Sequence, residues 1–132
     1  MTTLPERFSL QGRSAIVTGG AGLLGRQFCR TLAEAGAQVA VVDLDGDAAT
    51  VLAEQLTGEG YTATAIQVDV TNKTSVTMMV ERVVQAFGRV DVLVNSAALD
   101  PKFSPDEISK QGANAFEDFP LKGWQQALDV NL

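Results

Sequence analysis

The chain of 132 residues has the size of one domain, and its composition, 45% hydrophobic and 20% charged, is that of a soluble globular protein with a core. Its 16 acidic and 10 basic residues give a net charge of −6, which disfavours binding to nucleic acid or an anionic membrane surface, because both need basic patches. One cysteine, Cys29, and no histidine exclude a disulfide framework, a cysteine–histidine metal site and a Ser-His-Asp triad within the chain.

The beginning of the chain, MTTLPERFSL, contains no long apolar run and no small-residue cleavage site of a signal peptide. No later segment approaches the ~20 consecutive apolar residues of a membrane helix. We therefore expect a cytoplasmic protein.

Four short apolar runs predict β-strands. They are rich in β-branched residues and lack strict polar alternation, which is typical of strands buried on both faces of a parallel sheet. The four runs are SAIVT (14–18), QVAVVD (38–43), TATAIQV (62–68) and VDVLVN (90–95).

Apolar residues at helical spacing predict a helix after each of the first three strands and another at the end of the chain. Glycines 36, 58, 60 and 88 mark the ends of the first three helices, and Asn72 is a candidate N-cap for the third. Residues 100–120 form one long irregular segment, which we interpret as a lid. The four apolar stripes are Leu24, Phe28 and Leu32; Ala48, Leu52 and Leu56; Val76, Val80, Val83 and Phe87; and Trp124, Leu128 and Leu132.

This alternation of strands and helices predicts an α/β fold, a doubly wound parallel sheet of the Rossmann type with the strands in the order third, second, first, fourth. The fourth strand then lies at an edge, where an apolar strand is an association hazard. The last helix shows no stop signal. We therefore expect an incomplete sheet and interpret residues 1–132 as the N-terminal portion of a longer single-domain protein.

The turn after the first strand, TGGAGLLG (18–25), is the most informative segment. Gly19, Gly22 and Gly25 lie between a buried strand and a helix, where small residues let a diphosphate approach backbone N–H groups, although a tight connection alone would also explain them. Asp43 ends the second strand, where a carboxylate can accept hydrogen bonds from the ribose hydroxyls of adenosine. An aspartate at a strand end is otherwise a turn residue or a helix cap.

Four segments, in this order, resemble those of the short-chain dehydrogenases/reductases. TGGAGLLG resembles the cofactor loop of the family, VVDLD (41–45) its ribose-contacting strand end, VDVT (68–71) its adenine-contacting segment and FGRVDVLVNSAA (87–98) its fourth-strand signature. WQQALDVNL (124–132) resembles the long interface helix of the family. The resemblance implies a nicotinamide cofactor, oxidoreductase activity on a small alcohol or carbonyl substrate, and a homo-oligomeric enzyme.

The resemblance also assigns roles to individual residues. The counterpart of Asn131 belongs to the catalytic set and helps to hold a proton-relay water. Asp43 predicts NAD as cofactor instead of NADP, because its carboxylate would repel a 2′-phosphate and neither Ala21 nor Gly22 offers a basic side chain. The assigned cofactor-binding residues are Gly19, Gly22, Leu23, Leu24, Asp43, Asp69, Val70, Asn95 and Ala97.

Two departures from the pattern of the family leave alternatives open. Leu23 replaces the middle glycine of TGxxxGxG, which gives a spacing similar to that of the extended branch with its nucleotide-sugar epimerases. Ser96 and Ala98 replace the second Asn and the Gly of Asn-Asn-Ala-Gly. An extended-branch epimerase or dehydratase fragment and a non-enzymatic nucleotide-binding module are therefore the alternatives.

The acid/base centre of the family, a Ser and a Tyr-x-x-x-Lys segment, is missing from the 132 residues. Tyr61 is the only tyrosine, Ala65 follows four residues later, and Tyr61 precedes the third strand, so we interpret it as a packing residue. In the family, these residues follow the helix that resembles residues 124–132. We therefore expect residues 1–132 alone to be inactive.

Overall fold

The computed structural model describes residues 4–99 and 120–132. The described residues belong to two compact units, one that ends at Ala97 and one that begins at Ala98. The predicted lid, apart from Pro120, lies outside the described residues.

The first unit alternates strands and helices as the sequence predicts. The second unit contains one described helix, α5. In chain order the elements are α1 (Leu4–Arg7), β1 (Ser14–Thr18), α2 (Leu23–Glu34), β2 (Gln38–Asp43), α3 (Gly46–Gly58), β3 (Ala63–Gln67), α4 (Lys73–Phe87), β4 (Val92–Asn95) and α5 (Leu121–Asn131).

The four described strands form one parallel sheet in the order β3-β2-β1-β4. The predicted fold class and the predicted strand order are confirmed, and β4 lies at an edge of the described sheet. In the register, Thr18 pairs with Asn95, and Asp43 pairs with Gln67. The carboxyl ends of the strands therefore meet along one edge of the sheet.

Helices cover both faces of the sheet. On one face, α2 and α3 pack against β1 and β2, with Leu52 and Leu56 in the core; on the other face, α4 packs with Met79 and Val83. Burial on both faces is confirmed for β1 and β2. It fails at β4, where Leu93 is 55% exposed, because the described apolar cluster around α4 includes side chains of β1, β2 and β3 and none of β4.

The predicted apolar stripe of α2 is wrong by one residue. Leu24 and Phe28 are 65% and 40% exposed, whereas the buried residues of α2 are small: Gly25, Cys29 and Ala33. A Cβ atom at residue 25 would lie 2.0 Å from the Gly19 carbonyl oxygen, so close packing of the helix on the loop leaves no room for large side chains. The stripe of α4 differs in the same way at one position, where Met79 is buried and Val80 is exposed.

The helix ends agree with the predicted signals. The Asn72 side chain caps α4 by accepting a hydrogen bond from the Ser75 N–H at 3.0 Å. Gly88 ends the same helix in the left-handed conformation, with φ of 80°. Gly60 follows the cap of α3 with φ of 95°, and Gly58 is the last residue of that helix.

The second unit confirms the predicted helix at 124–132, which begins three residues earlier, at Leu121. The residues of its predicted stripe are exposed, and the half-buried positions are Gly123, Ala127 and Val130. Among the described residues, no helix combines the length and the apolar character that crossing a membrane would need.

Candidate nucleotide-binding site

The loop between β1 and α2 is shaped by close backbone contacts. Gly19 has φ of 62°, and a Cβ atom there would lie 2.8 Å from the Cα atom of Ala97. A Cβ atom added at Gly25 would lie closer still to the backbone, 2.0 Å from the Gly19 carbonyl oxygen. At Gly22, by contrast, the nearest atom to an added Cβ is the Gly19 carbonyl oxygen at 3.2 Å, so this glycine is the least constrained of the three.

Gly20 belongs to the same tightly packed turn, although the sequence did not single it out. Its N–H donates to the Val42 carbonyl at 2.9 Å, and a Cβ atom would lie 2.9 Å from the Val17 carbonyl oxygen. The glycine doublet at 19–20 was the available signal.

The N-terminus of α2 carries no side-chain cap. Gly22 occupies the N-cap position and has no side chain to offer, whereas Asp45 caps α3 and Asn72 caps α4. The first N–H groups of a helix have no intrahelical partner, and they carry the positive end of the helix dipole. This N-terminus therefore suits an anion, and Leu23 and Leu24 extend beside it with exposed side chains.

Asp43 lies at the carboxyl end of β2, next to this loop. Its Oδ2 accepts a hydrogen bond from the Ala21 N–H at 3.0 Å, and its Oδ1 accepts one from the Asp45 N–H at 3.1 Å. Asp45, and not Asp43, caps α3, because the Asp45 side chain accepts a hydrogen bond from the Ala48 N–H. Asp43 shapes the turn after β2, and because each carboxylate oxygen has two lone pairs, it retains capacity to accept hydrogen bonds from a ligand.

The segment after β4 is tied to the same edge by Thr18. The Thr18 hydroxyl oxygen accepts hydrogen bonds from the N–H groups of Ser96 and Ala97, at 3.2 Å each. Asn95 pairs with Thr18 in the sheet, and Ala97 lies against Gly19, so both residues lie beside the glycine loop. Sequence reasoning missed Thr18, for which a polar residue at the end of a buried strand was the only signal.

Asp69 and Val70 follow β3 at the same edge. The Asp69 carboxylate accepts hydrogen bonds from the hydroxyl and the N–H of Thr71, at 2.6 and 2.9 Å. The hydroxyl bond is the main reason that the pKa of Asp69 lies below its usual value. Val70 packs against the apolar cluster under α4. The side chain of Asp69 is therefore engaged in a local turn.

Asn131 belongs to the second unit. Its Oδ1 accepts a hydrogen bond from the Leu99 N–H at 2.8 Å, and its Nδ2 donates to the Leu99 carbonyl at 3.1 Å. Both functional groups of the side chain are thus bound to one residue of the backbone. This pair fixes the end of α5 against the segment that follows the NSAA sequence.

Other candidate groups lie away from this edge. Tyr61 packs against the core on the side of α2 and α3, which confirms its interpretation as a packing residue. Cys29 is fully buried, and burial raises the pKa of its thiol to about 12, so it is unreactive as a nucleophile. A groove of about 500 Å³ lies between α3 and β3 and is lined by none of the predicted site residues. Within the described ranges, no group of three or more His, Cys, Asp or Glu residues is arranged to hold a metal ion.

Residues 13–132 match the sequence profile of the short chain dehydrogenases. The chain is 38% identical over 133 residues to the short chain dehydrogenase/reductase astE of Aspergillus oryzae, covering 100% of this chain and 47% of that protein. It is 36% identical over 123 residues to 3beta-hydroxysteroid dehydrogenase 2 of Eggerthella lenta, covering 93% of this chain and 44% of the relative. D-threitol dehydrogenase of Mycolicibacterium smegmatis is 34% identical over 125 residues, covering 95% and 44%.

The three-dimensional structure also resembles that of a short-chain dehydrogenase/reductase. A crystal structure of a short-chain type dehydrogenase/reductase from Mycobacterium marinum superposes with a TM-score of 0.81 at 31% sequence identity, covering 95% of this chain and 46% of that chain. The chain thus spans less than half the length of these relatives. The relatives are named as dehydrogenases or reductases, which favours neither the epimerase nor the non-enzymatic alternative. The chain belongs to the short-chain dehydrogenase family.

Proposed function

We propose that these residues are the NAD-binding part of an oxidoreductase that acts on an alcohol or carbonyl substrate. The observation that carries the proposal is the arrangement at the carboxyl edge, where an uncapped helix N-terminus, a close-packed glycine loop and a carboxylate meet, and no cation of the described residues pairs with that carboxylate. The relatives named as hydroxysteroid and threitol dehydrogenases support an alcohol or carbonyl substrate. A cytoplasmic location and homo-oligomeric assembly are parts of the same proposal.

Each part of the cofactor has proposed contacts on this edge. The N–H groups of the first turn of α2, directly after the glycine loop, bind the diphosphate, and Asp43 accepts hydrogen bonds from the ribose hydroxyls. Bound NAD supplies the acceptor or donor of hydride. The remaining contacts are those carried over from the resemblance, to the adenine and to the nicotinamide half: Leu23, Leu24, Asp69, Val70, Asn95 and Ala97.

The preference for NAD over NADP rests on charge. The Asp43 carboxylate accepts hydrogen bonds only from backbone N–H groups among the described residues, so its negative charge is not compensated by a cation. Like charges separated by ~4 Å repel by about 1 kcal/mol in bulk water and by more where water is partly excluded. A 2′-phosphate on the adenosine ribose would meet this repulsion.

A cofactor titration of the full-length protein tests the proposal. We expect tighter binding of NADH than of NADPH, followed by fluorescence, and we expect Asp43→Ser to reduce this discrimination. Asp45→Ser is the matched control, because it removes a carboxylate two residues away and serine also caps helices well. Tighter binding of NADPH by the wild type, or equal discrimination in Asp43→Ser, would refute the assignment.

Asn131 is the proposed catalytic residue, through a proton-relay water. In the full-length protein, Asn131→Ala should lower kcat far more than it weakens NAD binding, by about 10² if the relay is lost. Equal losses of both would indicate a purely structural role for the Leu99 pair. Purified residues 1–132, which lack the Tyr-x-x-x-Lys segment, should transfer no hydride with a panel of alcohols and ketones.

A further inference from the structure

Arg26 occupies an unfavourable place for a cation. It is the fourth residue of α2, and the first turn of that helix contains no acidic residue. A positive charge close to the N-terminus of a helix interacts unfavourably with the helix dipole. No carboxylate of the described residues pairs with Arg26, so an ion pair within that part of the chain does not explain its position.

The one hydrogen bond of the Arg26 side chain in the described structure goes to the glycine loop. Its Nη2 donates to the Ala21 carbonyl at 2.9 Å. Ala21 is buried, and its N–H donates to the Asp43 carboxylate at 3.0 Å. Ala21 is therefore held through its carbonyl by a cation of α2 and through its N–H by an anion of β2.

This double attachment lies in the middle of a segment with little intrinsic order. Gly19, Gly20 and Gly22 surround Ala21, and glycine loses more conformational freedom on ordering than any other residue. A loop that is already ordered binds its ligand more tightly, because less entropy is lost on binding. The hydrogen bond from Arg26 fixes the segment that leads into the first turn of α2, and the N–H groups of that turn are proposed to bind the diphosphate.

We propose that Arg26 is a positioning residue of the cofactor site, which holds the glycine loop in its binding conformation before the cofactor arrives. The inference rests on the proposed function for its effect on NAD affinity. Its effect on the loop of the cofactor-free protein does not depend on that function, and the test uses both.

Arg30 provides a matched control. It lies one turn later on α2, and its guanidinium forms a two-bond ion pair with the exposed Glu59, away from the loop. Arg26→Met and Arg30→Met remove the same charge and the same donors from the same helix. Exposed ion pairs such as Arg30–Glu59 contribute little to stability, so Arg30→Met should behave nearly as the wild type.

The first measurement is the affinity for NADH in the full-length protein. We expect Arg26→Met to raise the dissociation constant about tenfold, as the loss of a charged hydrogen bond implies, and to raise the KM for NAD more than it lowers kcat. Arg30→Met should change the dissociation constant by less than about twofold. Arg26→Lys, which keeps a cationic donor, should recover part of the affinity. Equal effects of Arg26→Met and Arg30→Met would overturn the proposal.

The second measurement is amide hydrogen exchange in the cofactor-free protein. Arg26→Met should accelerate exchange at the N–H groups of Gly20, Ala21 and Gly22, and Arg30→Met should not. Weaker NADH binding with unchanged exchange would show that Arg26 contacts the cofactor directly, and that result overturns the positioning role. A wild type that binds no NADH, together with faster loop exchange in Arg26→Met, would refute the proposed function and leave the loop contact established.

Discussion

The two ends of the central sheet use aspartate in opposite ways. At the amino end of β4, Asp91 accepts hydrogen bonds from the side chains of Arg13 and Arg89 and from the Ser14 N–H, at 3.0, 2.6 and 2.9 Å. At the carboxyl end of β2, the Asp43 carboxylate accepts hydrogen bonds, within the described part of the chain, from backbone N–H groups alone. Asp91 forms ion pairs with two arginines, whereas Asp43 has no ion-pair partner among the described residues.

This difference distinguishes a structural residue, Asp91, from a proposed binding residue, Asp43. The Asp91 contacts join β1 to the start of β4, two elements 77 residues apart in the chain. The hydrogen bond from Arg89, followed by that from the Ser14 N–H, lowers the pKa of Asp91 to about 2. A carboxylate with these partners has little capacity left for a ligand. An aspartate at a strand end is therefore judged by its partners, not by its position alone.

The largest effect is expected from filling the close contact at the carboxyl end. Gly25→Ala places a Cβ atom 2.0 Å from the Gly19 carbonyl oxygen, so the loop or the helix must move. We expect a destabilisation of about 3 kcal/mol, as for severe overpacking, and a loss of measurable NAD binding. Urea unfolding and cofactor titration of the full-length protein provide the measurements.

Gly22→Ala is the control for this prediction. The nearest atom to its Cβ would be 3.2 Å away, and φ of −71° suits alanine. The destabilisation should stay below about 1 kcal/mol. Equal destabilisation by both substitutions would mean that the loop is less rigid than its contacts indicate.

Replacing Asp91 and Asp43 one at a time should affect different properties, stability in the first case and NAD binding in the second. Asp91→Asn removes the charge that pairs with the two arginines and should lower the melting temperature while NAD affinity stays within about twofold, since no ligand contact is lost. Asp43→Ser should weaken NAD binding about tenfold, because a charged acceptor for the ribose hydroxyls is lost. A melting scan and a titration on each variant complete the comparison. Loss of affinity in Asp91→Asn would remove the distinction between the two ends.

The contribution of Asp91 to stability should depend on pH. Because its pKa is about 2 in the folded state and about 3.9 in an unfolded chain, the stabilisation is fully present above the unfolded value and is lost as the pH falls towards 2. The difference in melting temperature between wild type and Asp91→Asn should be constant from pH 7 to about pH 5 and should shrink between about pH 4 and pH 2. A constant difference down to pH 3 would contradict the low pKa.

The sequence was sufficient to predict the four strands and the four longer helices because the local signals agree, whereas the short helix α1 was not predicted. Alternating apolar runs, helix caps and glycines predicted the strands to within two residues and the strand order correctly. The stripe of α2 was wrong because hydrophobicity favours large side chains, whereas packing against the loop selected Gly25, Cys29 and Ala33. The spacing of apolar residues in the sequence does not show where two backbone segments come too close for large side chains.

The residues of the candidate site could be predicted from the sequence, but the hydrogen bonds between them could not. The glycine trio and Asp43 were visible in the sequence, but the contacts that connect them to the rest of the edge were not. The Thr18 hydroxyl binds the backbone N–H of Ala97, and the Arg26 guanidinium binds the backbone carbonyl of Ala21. Every residue carries these backbone groups, so the sequence does not show which of them a side chain will contact. The same applies to Asn131, whose side chain is bound to the backbone of Leu99, 32 residues earlier in the chain.

The smallest predicted effect distinguishes the two arginines at the amino end. The hydrogen bond from Arg89 is the largest cause of the low pKa of Asp91, whereas that from Arg13 ranks below the Ser14 N–H. Arg89→Met should therefore raise the pKa of Asp91 more than Arg13→Met does, and neither should alter NAD affinity. Carboxyl chemical shifts in an NMR titration, with Asp91→Asn to assign the resonance, measure both changes. A larger shift in Arg13→Met would show that the contact from the segment before β1, and not the contact from the turn before β4, is the main cause of the low pKa of Asp91.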